Sequence, residues 1–187
     1  MNKEELALWK SKYTDISSDI YIRPMEEADV DKWVAWRNSD LVKGYYIYRG
    51  EFTRQSQLDW MKANVDTGKA CLMIICLMED DRPIGCVQIK DIDRFHNKGE
   101  YGIFIGEADA QGKGYGNAAA KMMLRYGFEE LSLHRIYLEA IEGNERAIKS
   151  YENAGFVKEG ILKDNAFIDG TYKNIVWMGA INPKENS

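Results

Sequence analysis

Apolar positions fall along this chain in two periods. Residues 20–24 read as a first strand, and residues 71–78 form a nearly unbroken apolar one. After a turn at 79–82, residues 83–90 return with Val87 and Ile89 alternating against Gln88 and Lys90. Residues 100–105, 135–141, 156–162 and 171–181 supply the remaining strands, the last two joined through Asp169-Gly170. Between them the period lengthens. Val30, Trp33 and Val34 share one face of a helix over 26–38, whose first turn is acidic (Glu26, Glu27, Asp29). Thr53 caps a second helix with Leu58, Met61 and Val65 inward. An Ala-rich helix over 117–128 carries Asn117, Lys121, Arg125 and Glu129 as its polar stripe. Asn144 opens a helix whose inner face is Ala147, Ile148, Tyr151 and Ala154, and Gly155 ends it. Residues 4–13 suggest a short helix with Leu6 and Trp9 on one side; 43–52 is an irregular aromatic segment and 91–98 a polar loop.

The order is strand, two helices, three strands, helix, strand, helix, two strands. It predicts an α/β (α+β) fold: a mixed, mostly antiparallel central sheet of about six to seven strands flanked by about four helices. The 187 residues read as one domain, 1–187, with an N-terminal extension over 1–18 and a polar tail over 182–187.

Residues 111–116 read Gln-Gly-Lys-Gly-Tyr-Gly, between the strand at 100–105 and the Ala-rich helix. Glycines permit a tight turn, and free N–H groups at a helix start attract an anion; Lys113 adds a point charge. A nucleoside-triphosphate loop is excluded because no Ser or Thr follows Lys113. Gly114 to Ala119 imitates the dinucleotide fingerprint G-x-G-x-x-A, with Glu139 about twenty residues on. That reading fails because residues 106–113 separate the glycines from the strand, and the chain offers too few parallel units.

Composition narrows the field. A net charge of -5 argues against nucleic-acid binding by general electrostatics and suits a cationic partner. Cys71, Cys76 and Cys86 lie in apolar runs without zinc spacing, so they read as buried reduced thiols, and no metal site is expected. With no apolar signal core and no spanning stretch, the expectation is a cytoplasmic protein with no membrane partner.

The glycine stretch resembles the Q/R-x-x-G-x-G/A motif of the GCN5-related N-acetyltransferase (GNAT) superfamily at Gln111, Gly114 and Gly116. Asn144, Ala147, Tyr151, Gly155 and Phe156 are similar to its N-x-x-A-x-x-x-Y-x-x-x-G-F block, followed by Glu159-Gly160, Asp169-Gly170, Tyr172 and Met178. The tail resembles the branch of ribosomal-protein N-terminal, spermidine and amino-sugar acetyltransferases. The likeness spans about residues 20–181 and is strongest from Glu100 onward.

The resemblance implies transfer of acetyl from acetyl-CoA to a primary amine by direct attack in a ternary complex. Backbone N–H groups of Gln111, Gly112, Lys113, Gly114, Tyr115, Gly116 and Asn117 would hold the diphosphate. The pantetheine arm would lie beside the backbone of Ile103, Phe104 and Ile105, with strand 135–141 splaying away, and an N–H near Ile105 would polarise the thioester. Ala147 lies on the cofactor helix. Asn144 would bond the pantetheine or cap that helix. Tyr151 is the expected general acid and Glu100 the expected base, with His96 and His134 as weaker rivals. One residue more than in many relatives stands between strand and loop, at Gly106-Glu107. Trp36-Arg37-Asn38 with the aromatic segment resembles amino-sugar and nucleotide-sugar enzymes, where Arg37 would meet a phosphate; the acidic balance and the C-terminal likeness point to a polyamine; a protein N-terminus is the third acceptor. A homodimer is compatible with the family. The competing reading is a non-catalytic acetyl-CoA sensor or interaction module.

Overall fold

The computed structural model describes residues 2–185. Eight strands form one sheet: β1 (Thr14–Asp15), β2 (Ile20–Pro24), β3 (Cys71–Leu77), β4 (Pro83–Asp93), β5 (Lys98–Ile105), β6 (Arg135–Ile141), β7 (Val157–Ile168) and β8 (Thr171–Ile181), in spatial order β1-β2-β3-β4-β5-β6-β8-β7. Every pair is antiparallel except β5–β6. Around the sheet run α1 (Lys3–Lys12), α2 (Val30–Asn38), α3 (Asp40–Lys43), α4 (Arg54–Asn64), α5 (Tyr115–Glu129) and α6 (Glu145–Ala154).

Strand alternation divides the core between the two faces. Met73 and Ile75 of β3, with Val87 and Ile89 of β4 and Ile136 and Leu138 of β6, pack against Ala118, Ala119, Met122 and Met123 of α5. Leu72, Ile74 and Cys76 point the other way, toward Trp33 and Trp36 of α2 and Trp60 and Met61 of α4. A small third cluster joins Ala166, Ile168 and Ile175 with Ile47 and Ile141.

The expected strands and helices are present, and the departures have local causes. The extra strand, β1, is two residues long, and the four-residue α3 is also too short for periodicity to reveal. The helix expected from residue 26 begins with a 3₁₀ turn (Glu27–Asp29), because the Asp29 carboxylate accepts from the Glu26 N–H at 2.9 Å and pairs with Arg23 at 2.7 Å. In α4 the buried face carries Gln57 with partly buried Trp60 and Met61; Leu58 is outside that cluster. Gln57 is drawn in because its Oε1 accepts from Arg37 at 2.9 Å. Leu6 and Trp9 of α1 reach different clusters, Trp9 joining Tyr13 and Tyr126. The loop expected over 91–98 shrinks, since β4 continues to Asp93, whose carboxylate accepts from the N–H groups of Phe95 and His96. β7 runs past 162 to Ile168 through an irregular register between Leu162 and Ala166. Cys76 and Cys86 are buried and Cys71 half-buried, all as free thiols. Residues 186 and 187 of the expected polar tail, and Met1 of the extension, lie outside the described residues.

Candidate active site

The one parallel pairing among the described residues opens a candidate site. β5 and β6 are in register at only three positions, Lys98 with Arg135, Gly99 with Ile136 and Glu100 with Tyr137. β5 stays paired to β4 as far as Ile105, and β6 stays paired to β8 as far as Ile141. Beyond Glu100 the sheet therefore forks, and the edge of β5 over residues 101–105 is left without a strand partner. Ile103, Phe104 and Ile105 line a cleft of about 740 Å³ that starts there. An extended, amide-bearing ligand finds backbone groups along such an edge.

The glycine loop closes one end of this cleft. Gln111 ties it to β5 by donating from Nε2 to the Ile105 carbonyl at 3.2 Å. Gly112 and Gly114 adopt φ of 78° and 86°, a region that a side chain disfavours. No side chain caps α5 at Gly114, and Gly112, Gly114, Tyr115, Gly116 and Asn117 all line the cleft. A helix start with uncapped N–H groups on a cleft wall is an anion site, and a diphosphate fits it. Asn117 donates from its side chain to the Ser150 carbonyl at 2.9 Å, which fixes α6 beside α5. Lys113 is exposed and is not on the cleft wall; Arg146 and Lys149 of α6 are, and they are the cations that sequence reasoning passed over.

Tyr151 and Asn144 both line the cleft, as does Ala147. Asn144 caps α6, its Oδ1 accepting from the Ala147 N–H at 3.3 Å. Burial pushes the Tyr151 phenol up to about 12, so it keeps its proton at neutral pH and is a donor. The extra residue before the loop also has a structural account. Gly106 passes so close to the Trp36 ring that a Cβ would sit 2.3 Å from it. The N–H groups of Gly106 and Glu107 both donate to the Ile84 carbonyl, and the Glu107 carboxylate takes the Trp36 indole N–H at 3.0 Å and Lys32 at 3.1 Å. Neither N–H is free to polarise a ligand.

On the α2/α4 side the expected carboxylate is less isolated than the sequence suggests. Glu100 pairs with Lys90 at 3.0 Å, and neither it nor Glu139 is on the cleft wall. Its register partner on β6 is Tyr137, and Glu139 stands two residues further along that strand, on the same face. Burial, then the nearby charge of Glu100, raises the proton affinity of Glu139. The Tyr137 and Trp177 rings stack beside it at 4.9 Å. Sequence reasoning met Glu139 only as part of the rejected dinucleotide fingerprint; nothing local marks it, because register alone brings it to Glu100. His96 and His134 are exposed and line no part of the cleft.

The acceptor-side motif does structural work. The Arg37 guanidinium lies 3.6 Å from the Phe52 ring centroid and donates to Gln57, and burial lowers its proton affinity. Asn38 clamps the Phe52 backbone, donating to its carbonyl at 2.8 Å and accepting from its N–H at 2.9 Å. Arg37 is thus engaged inside the protein rather than presented to a phosphate. The segment it steadies puts Tyr46 on the cleft wall and is tethered across the sheet by the Arg49–Asp169 ion pair.

The chain is similar to known N-acetyltransferases in sequence and in fold. A spermidine N(1)-acetyltransferase of Escherichia coli K12 is 32% identical over 161 residues, covering 85% of this chain and 84% of that protein. A putative ribosomal N-acetyltransferase of Bacillus subtilis, YdaF, is 32% identical over 101 residues, covering 54% of this chain and 55% of that protein. The crystal structure of spermidine N-acetyltransferase from Vibrio cholerae in complex with CoA and spermine superposes with a TM-score of 0.83 at 25% identity, covering 91% of this chain and 99% of that one. These relatives transfer acetyl groups, which favours turnover over a module that only binds. The family described as acetyltransferase (GNAT) domain matches residues 19–157, most of the chain, and with the forked sheet and glycine turn in place the protein belongs to that family as an acetyl-CoA-dependent N-acetyltransferase.

Proposed function

We propose that this enzyme acetylates a small cationic primary amine of the polyamine class. The carrying observation is the pair of carboxylates, Glu100 and Glu139, on one sheet face at the fork, beside the Tyr137–Trp177 stack. Carboxylates with an aromatic wall suit an ammonium-bearing chain. The likeness to spermidine acetyltransferases and the net charge of -5 support the same class. The internal engagement of Arg37 removes the phosphate contact that favoured a nucleotide sugar.

Acetyl-CoA supplies an activated acetyl thioester. The chain's own residues then divide the work. Backbone N–H groups of Gly112, Gly114, Tyr115 and Gly116 hold the diphosphate, with Arg146 and Lys149 close by; the N–H groups of Gln111 and Asn117, also expected there, donate instead to the Ala108 and Gly114 carbonyls. The β5 edge from Ile103 to Ile105 aligns the arm. Glu139 takes the proton from the incoming ammonium, being a better acceptor than an ordinary carboxylate. Glu100, joined to Lys90, sets the charge beside it. Tyr151 returns a proton to the departing sulfur.

Thiol release from acetyl-CoA, measured with spermidine, glucosamine and a short peptide with a free N-terminus, tests the acceptor class. Spermidine is expected to exceed the others in kcat/KM by about tenfold or more. Preference for the sugar or the peptide would overturn the polyamine reading and leave the acetyltransferase assignment intact.

A further inference from the structure

Tyr101 carries the one buried side-chain polar atom among the described residues that has no hydrogen-bond partner. The residue is 3% exposed and belongs to the core cluster on the α5 face. A buried hydroxyl without a partner destabilises a fold, and phenylalanine would fill the same space without that cost. Packing therefore accounts for the ring of Tyr101 and leaves its oxygen unexplained.

Its position supplies a reason. Tyr101 is the first residue of β5 past the last register pair with β6, so it stands at the crotch of the fork. Its ring meets that of Tyr151 edge-on, with centroids 5.9 Å apart and planes at 81°, and packs on Phe156 at 5.2 Å. Tyr151 and Tyr46 line the cleft; Tyr101 does not, and lies against the Tyr151 ring. Burial raises the Tyr101 phenol well above its ordinary value, with Tyr151 and Tyr46 contributing, so it stays protonated and can donate a hydrogen bond without giving up its proton.

We infer that Tyr101 is a positioning residue for Tyr151, its hydroxyl donating a hydrogen bond to the Tyr151 oxygen when that oxygen loses its proton. The inference rests on the assignment of Tyr151 as acid. In that step the Tyr151 O–H bond breaks and an S–H bond forms on the departing coenzyme A sulfur, leaving a phenolate on the cleft wall. The Tyr101 proton is not transferred; its O–H dipole turns toward the new charge. The proton taken from the ammonium by the base leaves to solvent, and solvent later reprotonates Tyr151, so the cycle balances. A hydrogen bond to a charged acceptor is worth more than one between neutral groups, and that difference appears in turnover rather than in the resting fold.

The test is a double-mutant cycle of Tyr101→Phe and Tyr151→Phe, with melting curves of the ligand-free proteins. Tyr101→Phe is expected to lower kcat about tenfold, to leave the KM for acetyl-CoA unchanged and to melt no lower than wild type. In the Tyr151→Phe background it is expected to cost nothing further, because the oxygen it serves is gone. Wild-type kcat in Tyr101→Phe, a loss that multiplies with that of Tyr151→Phe, or a lower melting temperature with unchanged kcat would each overturn the inference. Unchanged turnover in Tyr151→Phe alone would instead remove the acid assignment, and this inference with it.

Discussion

The donor half and the acceptor half of this enzyme are built by different rules. The donor half joins the β5 edge, the glycine loop, α5 and α6, and its polar groups are mostly backbone. Glycines at positive φ, an uncapped helix start and an unpaired strand edge are properties of short consecutive stretches. The proposed acceptor half assembles side chains from distant stretches: Trp36 and Arg37 of α2, Tyr46, Gln57 of α4, and Glu100, Tyr137, Glu139 and Trp177 from three strands. A backbone site tolerates change in most side chains around it, whereas a site made of side chains takes its chemistry from each one. One half can therefore keep its ligand while the other is free to take a different amine.

Breaking the backbone site should have the largest effect. Gly114→Trp forces a side chain into φ of 86° at the mouth of the diphosphate site, and acetyl-CoA affinity by calorimetry is expected to fall about hundredfold. Substitution on the acceptor side should spare that affinity. Glu139→Gln is expected to lower kcat/KM for the amine by more than tenfold with acetyl-CoA binding unchanged. The pH profile sharpens the point. A base must be deprotonated to act, so activity is lost as pH falls through the raised pKa of Glu139. The negative charge of Glu100 helps to raise that pKa, so Glu100→Gln should move the acidic limb to lower pH, measured as kcat/KM against pH. An unmoved limb would show that the Glu100 charge does not act on the base, and near-complete loss of activity would make Glu100 the base instead.

Arg37→Ala probes whether the acceptor wall is braced from within. Loss of its contact with Phe52 and its hydrogen bond to Gln57 should cost about 1–2 kcal/mol, a fall in Tm of about 4 °C by calorimetry, with acetyl-CoA affinity unaltered. The smallest effect is expected at Lys113. It is exposed and off the cleft wall, so Lys113→Ala should change acetyl-CoA affinity by about twofold or less, and Arg146→Ala by more.

The same contrast explains what could be read from the sequence. The glycine loop, the Asn144 cap and the Tyr151 helix are legible because spacing along the chain dictates them. The seven longer strands are legible for the same reason. The roles proposed for Glu139 and Tyr101 are not, since they follow from where β5 and β6 stop pairing, and register is a property of two segments far apart in sequence. Arg37 shows the reverse case. Its neighbours Trp36 and Asn38 suggested a ligand site, while Gln57 and Phe52, which occupy it, are 20 and 15 positions further on. Leu58 looked inward by periodicity together with Met61 and Val65; those two pack as expected, while Gln57, which accepts from Arg37, takes the buried place instead of Leu58.

The division between a backbone site that binds and side chains that react is tested most directly at Tyr151, which lines the donor cleft yet is assigned to chemistry. Calorimetric titration of acetyl-CoA into wild type and Tyr151→Phe, paired with turnover on spermidine, measures both properties on one substitution. The account predicts equal affinity for acetyl-CoA and a kcat at least about tenfold lower in the variant. Unchanged turnover, or a loss explained by weaker acetyl-CoA binding, would contradict it.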